Sequence, residues 1–253
     1  MFGRVVGGVA SDFLVGCGRM GYRRTPFAPN EWYHCFSRGI EGRSVFETPR
    51  DFERFQQLLY LANDTKKFDR ATIRNLSHEE IFQLPRTDSL VSVGVYCLMG
   101  THPHLLLQEK IEGGISKFMH KVGTGYTGYF NAKHKRIGNL LVKPFRSKHI
   151  SDDRYLQRVA QYIHFNPAEI FEPGWKEGVV QDAKNLEQPL RNYAYASFPD
   201  YIGKNRPEVS ILDQNAMELL RGSTISLENL IAETQAYYTE LSKEYGPRSL
   251  KGK

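Results

Sequence analysis

Short aromatic or β-branched runs with a period of two alternate along this chain with longer apolar stripes whose period is near 3.6, and this alternation predicts a mixed architecture. Trp32-Tyr33-His34-Cys35-Phe36, bounded by Pro29-Asn30 and Gly39, reads as a strand. Thr48-Pro49-Arg50-Asp51 opens a helix, with Thr48 as N-cap, proline at the first helical position and an acid at the third. Phe52, Phe55, Leu58, Leu59 and Ala62 make its apolar face. Val91, Val93, Val95 and Cys97 alternate with Ser92, Gly94 and Tyr96 in a second strand. Met99-Gly100-Thr101 turns the chain back into a third that carries His102 and His104, so these two strands should be antiparallel neighbours.

Ile115, Phe118, Met119 and Val122 start a second helix that continues through Tyr126, Tyr129 and Phe130 despite Gly123, Gly125 and Gly128. Leu140 to Ile150 is basic and extended, one or two strands. Ser151, with Asp152 and Asp153, caps a third helix that Pro167 ends. At 100° per residue, Leu156, Val159, Ala160 and Ile163 face the core, while Tyr155, Tyr162 and Asn166 cluster to one side. Tyr162 should therefore stand at a seam, half covered and half reachable. His164 falls on the opposite flank and is excluded as its partner. Beyond Trp175 the sequence turns polar and irregular until two amphipathic helices, Ala216–Leu220 and Leu227–Tyr245. The expected organisation is a glycine-rich leader over 1–23, or an early-assigned start, then a main domain over 24–170 and an accessory, partly helical region over 171–253.

Charge changes this picture in one place. The net charge is +6, yet from Gly114 to Arg158 ten Lys or Arg face only Asp152 and Asp153, so the rest of the chain is slightly acidic. A run so one-sided favours a nucleic-acid surface over a merely solvated face. Lys117, Lys121, Arg146 and Lys148 are the candidates for phosphate contacts, chosen by charge alone. The three cysteines form neither a CxxC pair nor a disulfide framework, as in a reducing compartment. No apolar run approaches the ~20 residues that span a bilayer, so no membrane role is expected and a cytoplasmic, nucleoid-associated protein is the default reading.

The candidate chemistry lies in two places. On a strand His102 and His104 share a face, and on a helix Tyr162 and Asn166 stand one turn apart. Two neutral imidazoles and an amide oxygen can give a divalent cation three ligands and leave positions open, as catalytic sites do. A cation there would offset the negative oxygens of a phosphodiester, and a tyrosine beside it could attack the phosphorus and store the broken bond as phosphotyrosine. Each part has a plainer reading: a polar rim for the histidines, packing for Tyr162, a helix terminator for Asn166. Their coincidence with the basic stretch carries the joint reading.

Tyr33-His34-Cys35-Phe36-Ser37-Arg38-Gly39, Tyr96 to Leu107 and Tyr162-Ile163-His164-Phe165-Asn166-Pro167 together resemble the REP-associated tyrosine transposases, a group within the HUH single-tyrosine transposases. The resemblance spans roughly residues 24–170, with Tyr193-Ala194-Tyr195-Ala196-Ser197 echoing a further segment. It implies an α+β fold, an antiparallel sheet with helices packed on it (the ferredoxin-like or RRM-like HUH endonuclease), here with a C-terminal helical extension. It implies His102, His104 and Asn166 as metal ligands, Mg2+ or Mn2+ as the cation, and Tyr162 as nucleophile. The activity implied is that of a DNA nickase and strand transferase on single-stranded DNA near hairpins through a 5′-phosphotyrosine; monomer and homodimer both stay open.

Pro103 and Gly100-Thr101 depart from that family's pattern of a bulky apolar residue between the histidines and Met-Pro-Asn before them. Because proline cannot donate a ladder hydrogen bond, the third strand should lie at an edge or bulge there. Two rivals follow: a domesticated, non-catalytic DNA-hairpin binder, and a metal-dependent hydrolase that uses water instead of tyrosine. Tyr155 is the alternative nucleophile.

Overall fold

The computed structural model describes residues 26–66, 69–177, 183–223 and 227–246; the expected leader lies outside them. Strands β1 (Trp32–Phe36), β2 (Val91–Met99), β3 (His102–Glu109) and β4 (Arg146–Ile150) form a sheet of order β2-β3-β1-β4 in which every pairing is antiparallel. The helices are α1 (Pro49–Leu61), α2 (Arg70–Ile73), α3 (His78–Ile81), α4 (Gly114–Lys133), α5 (Asp153–Phe165), α6 (Ala168–Phe171), α7 (Ala183–Asn192), α8 (Phe198–Tyr201), α9 (Gln214–Leu219) and α10 (Leu227–Tyr245). This is the expected α+β class, an antiparallel sheet with helices packed on it.

Local chemistry explains the main elements. At the start of α1 the Asp51 carboxylate accepts the backbone N–H groups of Glu47 and Thr48 at 3.0 and 2.9 Å, satisfying donors the helix cannot. α4 runs unbroken through its glycines; at Gly125 a Cβ would meet Leu58 of α1 at 3.0 Å, so the missing side chain lets the two helices approach. The cap of α5 is Asp152, whose carboxylate accepts the N–H of Tyr155 at 2.8 Å, and Ser151 donates to Asp152 rather than capping the helix itself.

Helices cover both faces of the sheet. On one, Phe55, Leu58 and Leu59 of α1 and Ile115, Phe118, Val122 and Tyr126 of α4 pack on Tyr33, Val91, Val93, Leu105 and Leu107. On the other, Leu156, Val159 and Ile163 of α5 and Tyr237 and Leu241 of α10 pack on Trp32, Phe36, Val95, Cys97 and Leu106. Each fully buried Leu or Phe contributes roughly 1.5–3 kcal/mol.

One expectation about the central hairpin is corrected and one holds. Val91, Val93, Val95 and Cys97 do not share a face: the register slips between Val93 and Val95, so the first pair points to α1 and α4 and the second to α5. Gly94 permits the bulge, since a Cβ there would lie 2.8 Å from Leu220 and 2.9 Å from Trp32. β3 is interior to the sheet as a whole, yet Pro103, in register with Leu98 of β2, lies just past the last pair of β1 with β3, so the strand is locally at an edge there, as expected. The Leu98 N–H points outward to the Tyr195 carbonyl, so by antiparallel alternation the Pro103 nitrogen also faces away from β2. It faces the side of β1, whose pairing stops at Phe36 opposite His104, and no ladder bond is lost.

Candidate active site

The face of the sheet under α5 carries the candidate residues. Period-two alternation puts His102 and His104 of β3, His34 of β1 and Lys148 of β4 on this face. His34 pairs with Leu106, which makes His104 its diagonal neighbour, and their imidazoles bond through His34 Nε2 and His104 Nδ1 at 2.9 Å. The rings of His102 and His104 are 4.8 Å apart and nearly perpendicular. His102 Nδ1 is held by the Thr101 hydroxyl at 2.8 Å. Each histidine is thus fixed through Nδ1, which leaves Nε2 for another partner.

Tyr162 meets these histidines from α5, and Asn166 stands one turn on, at the C-cap of the helix. The Tyr162 ring stands edge-on to His104 at 5.7 Å and to His34 at 5.9 Å. The Asn166 amide donates to the Tyr162 carbonyl at 2.9 Å. His102, His104, Tyr162 and Asn166 are all at most 1 % exposed. His102 Nε2, His104 Nε2, Asn166 Oδ1 and the Tyr162 hydroxyl oxygen are buried without a hydrogen-bond partner of regular geometry. An unsatisfied buried polar atom costs about 1–3 kcal/mol, so four together mark a place built to receive something else.

The electrostatics suit a cation. Burial, then the charges of Lys176 and Arg38, keep the His102 pKa well below that of an ordinary imidazole; burial and the neighbouring His102 and His34 do the same for His104. Both rings are neutral, the form that ligates metals. Two imidazole nitrogens and one amide oxygen, all without hydrogen-bond partners, are a donor set that fits a divalent cation with open positions when the imidazoles carry their protons on Nδ1. Burial pushes the Tyr162 phenol well above its ordinary pKa, so the hydroxyl keeps its proton at rest.

Tyr162 is not half reachable: it is 0 % exposed. Trp175 lies against its ring at 6.4 Å and Tyr237 of α10 at 4.9 Å. Lys176, next to Trp175, is bonded to Glu169 at 2.7 Å, and Gln235 of α10 donates to the Trp175 carbonyl at 2.9 Å. His164 points elsewhere, between Phe198 and Tyr201, as its flank on the helix required. Tyr155 is turned to α10, where its hydroxyl donates to Glu240 at 3.0 Å.

The four basic candidates divide between the two sides of the sheet. Lys117 and Lys121 belong to α4; Lys117 is exposed, and Lys121 donates to the carbonyls of Asp64 and Lys66. Arg146 and Lys148 lie on β4 beside α10. Arg146 donates to the Tyr245 carbonyl at 3.1 Å, and Lys148 pairs with Glu240 at 3.1 Å and with Glu244. Sequence reasoning had placed His34 only as a strand residue and Tyr237 only in an accessory helix. The available signal was a histidine in phase with Trp32 and Phe36, and a stripe of Tyr237, Glu240, Leu241, Glu244 and Tyr245 at helical spacing.

No family model matches this chain, and no curated protein does. Among solved structures it is similar to a REP-associated tyrosine transposase bound to a REP hairpin, with 12% sequence identity, a TM-score of 0.44, and coverage of 74% of this chain and 89% of that one.

Proposed function

We propose that this chain is a metal-dependent nickase and strand transferase of single-stranded DNA, acting near hairpins through Tyr162, as transposases of the single-tyrosine kind do. One observation carries the reading: the rings of His102, His104 and Tyr162 are buried together, Asn166 is bonded to the Tyr162 carbonyl, and His102 Nε2, His104 Nε2, Asn166 Oδ1 and the Tyr162 hydroxyl are each left without a hydrogen-bond partner. A divalent cation held by those three residues, Mg2+ or Mn2+, supplies Lewis-acid polarisation of the scissile phosphate. Tyr162 Oη forms its bond to phosphorus as the bond to the 3′ oxygen breaks. The phenol gives up its proton during the attack, not before it, because burial disfavours the free phenolate. The 3′ oxygen leaves as a hydroxyl, and return attack by a 3′-hydroxyl frees the tyrosine and joins the strands.

With Tyr162 fully enclosed, substrate enters only when part of the cover moves, either Trp175–Glu177 or α10. Lys117 and Lys121 on α4, and Arg146 and Lys148 on β4, are the proposed backbone contacts, which makes binding salt-dependent. The proposal places the protein in the cytoplasm with the nucleoid; among the described residues no helix is long and apolar enough to cross a membrane.

The test mixes the protein and Mn2+ with a 3′-labelled pool of hairpin oligonucleotides carrying varied single-stranded flanks, and looks for label on denatured protein. A wild-type band absent from Tyr162→Phe supports the tyrosine mechanism. Binding without any adduct in wild type replaces it with a non-catalytic hairpin binder, and free 5′-phosphate ends that persist in Tyr162→Phe replace it with a water-using hydrolase.

A further inference from the structure

His104 is the end of a hydrogen-bonded line that runs to the surface. Its Nδ1 meets His34 Nε2 at 2.9 Å, and His34 Nδ1 meets the Tyr237 hydroxyl at 2.9 Å. The Tyr155 and Tyr237 rings meet edge to face at 5.7 Å with their hydroxyls placed to interact, and the Tyr155 hydroxyl donates to Glu240 Oε1 at 3.0 Å. Glu240 in turn accepts Lys148 at 3.1 Å. His34, His104 and Tyr237 are 0 % exposed, so no solvent competes for these bonds.

A line of this kind has two possible directions, and its ends decide between them. Imidazole and phenol each give one proton and can accept one, whereas a carboxylate only accepts. With Glu240 as acceptor, Tyr155 must donate to it and can receive from Tyr237. Tyr237, its proton committed, must accept from His34 Nδ1–H. His34 Nε2 is then a lone pair that accepts from His104 Nδ1–H, and His104 Nε2 is left unprotonated. Reversing the line would put a proton on His104 Nε2, in the position where a cation needs electrons.

We propose that Tyr237 is a positioning residue for the metal site: through His34, and with Glu240 fixing the direction, it selects the Nδ1–H form of His104 and so presents the Nε2 lone pair to a divalent cation. The inference rests on the metal site of the proposed function, but its first readout does not need metal. α10 therefore does more than cover Tyr162. Partners behind a metal-binding histidine characteristically set its tautomer, and losing one costs about 10- to 100-fold in metal affinity.

The experiment reads histidine nitrogen shifts by long-range 1H–15N correlation in the full-length, metal-free protein, then Mn2+ affinity from the electron paramagnetic resonance of free Mn2+. Wild type should show His104 Nε2 unprotonated. In Tyr237→Phe, His34 loses its acceptor and turns to its Nε2–H form, and His104 moves its proton to Nε2, with Mn2+ bound about 10- to 100-fold more weakly. Glu240→Gln, on a partly exposed side chain, leaves packing intact and removes the acceptor-only end; it should mix the two tautomers and weaken Mn2+ less. A mere loss of packing would not exchange the protonated nitrogen. His104 Nε2 protonated in wild type, or unchanged tautomers in both variants, would overturn the inference even if the protein binds metal and cleaves DNA. The expected exchange in a protein that binds no Mn2+ would instead overturn the metal site.

Discussion

The two faces of the sheet are built to different rules. Under α1 and α4 a fully buried tyrosine and carboxylate are satisfied: Tyr126 donates to the Val45 carbonyl, and Asp51 takes Lys133 at 2.8 Å, Tyr129 at 2.9 Å and two backbone N–H groups. Under α5 and α10, equally buried histidines, an asparagine and a tyrosine keep atoms without partners. Since β1 and β3 supply alternate residues to both faces, the difference is not one of location or depth. It teaches that neither burial nor an unmet bond is enough alone, since His164 has both away from the site; several such groups of metal-ligating type brought together on one face are what single out the candidate.

The sharpest break of the comparison exchanges one hydroxyl on each face. Tyr162→Phe should abolish the covalent DNA adduct completely while leaving stability unchanged or raised by about 1 kcal/mol, since the lost hydroxyl has no regular partner. Tyr126→Phe should keep the adduct and lose about 1 kcal/mol, because its hydroxyl is bonded to Val45. Adduct assays and urea unfolding of the pair would read both signs; equal stability losses would mean that the faces do not differ in this way. Next in size, Leu58→Ala removes a side chain 1 % exposed at the contact of α1 with α4 and should cost about 2–5 kcal/mol. Mn2+ affinity in that variant should stay as in wild type at temperatures where it remains folded.

What could be read without coordinates followed local rules. Pro49 and Asp51 mark a helix start whatever lies around them, and the aromatic run from Trp32 to Phe36 between Pro29-Asn30 and Gly39 needs only its own residues. The facing pairs His102 with His104, and Tyr162 with Asn166, are legible for the same reason: each lies within one element. What depends on distant chain was hidden. Nothing near Tyr162 says that Tyr237, 75 positions on, closes over it. Nothing in Val91 to Cys97 says that Gly94 lets Trp32 and Leu220 close in and so swaps the faces of the later residues. The region after Trp175 reads as irregular because α7 and α8 take their order from the rest of the fold, as where Ser197 Oγ accepts the Tyr96 N–H at 3.0 Å.

A smaller effect tests the satisfied face by pH. Burial alone would raise the Asp51 pKa, but hydrogen bonds from Lys133, Glu47, Tyr129 and Thr48 prevail and hold it at about 2, below the ordinary 3.8. A carboxylate depressed on folding contributes stability that is present above its unfolded pKa and lost as pH falls through the folded one. Unfolding free energy should therefore drop by about 1–2 kcal/mol from this group between pH 4 and pH 2. Asp51→Asn should remove that part of the slope and lower stability at pH 7 by a similar amount. A slope equal to that of wild type would place the acid sensitivity elsewhere.

The smallest expected effect lies where the two faces meet, at Pro103. Its neighbours His102 and His104 point to α5, so by alternation its own ring points to the α4 side, into a cavity of about 530 Å³ shared with Ser37, Phe55, Met119 and Phe145. Its nitrogen faces the end of β1, where pairing has already stopped. Neither the ring nor the missing N–H therefore holds the histidines apart; the antiparallel register with Cys97 and Met99 does. Pro103→Val keeps an apolar side chain of similar size in the cavity and should change Mn2+ affinity by less than about threefold, against the ~10-fold or greater loss expected when a group bonded behind a ligand is removed. A loss as large as that of Tyr237→Phe would mean that the proline sets the spacing of His102 and His104. The two faces would then be mechanically coupled through β3, and the division between a satisfied face and a reactive one would not hold along that strand.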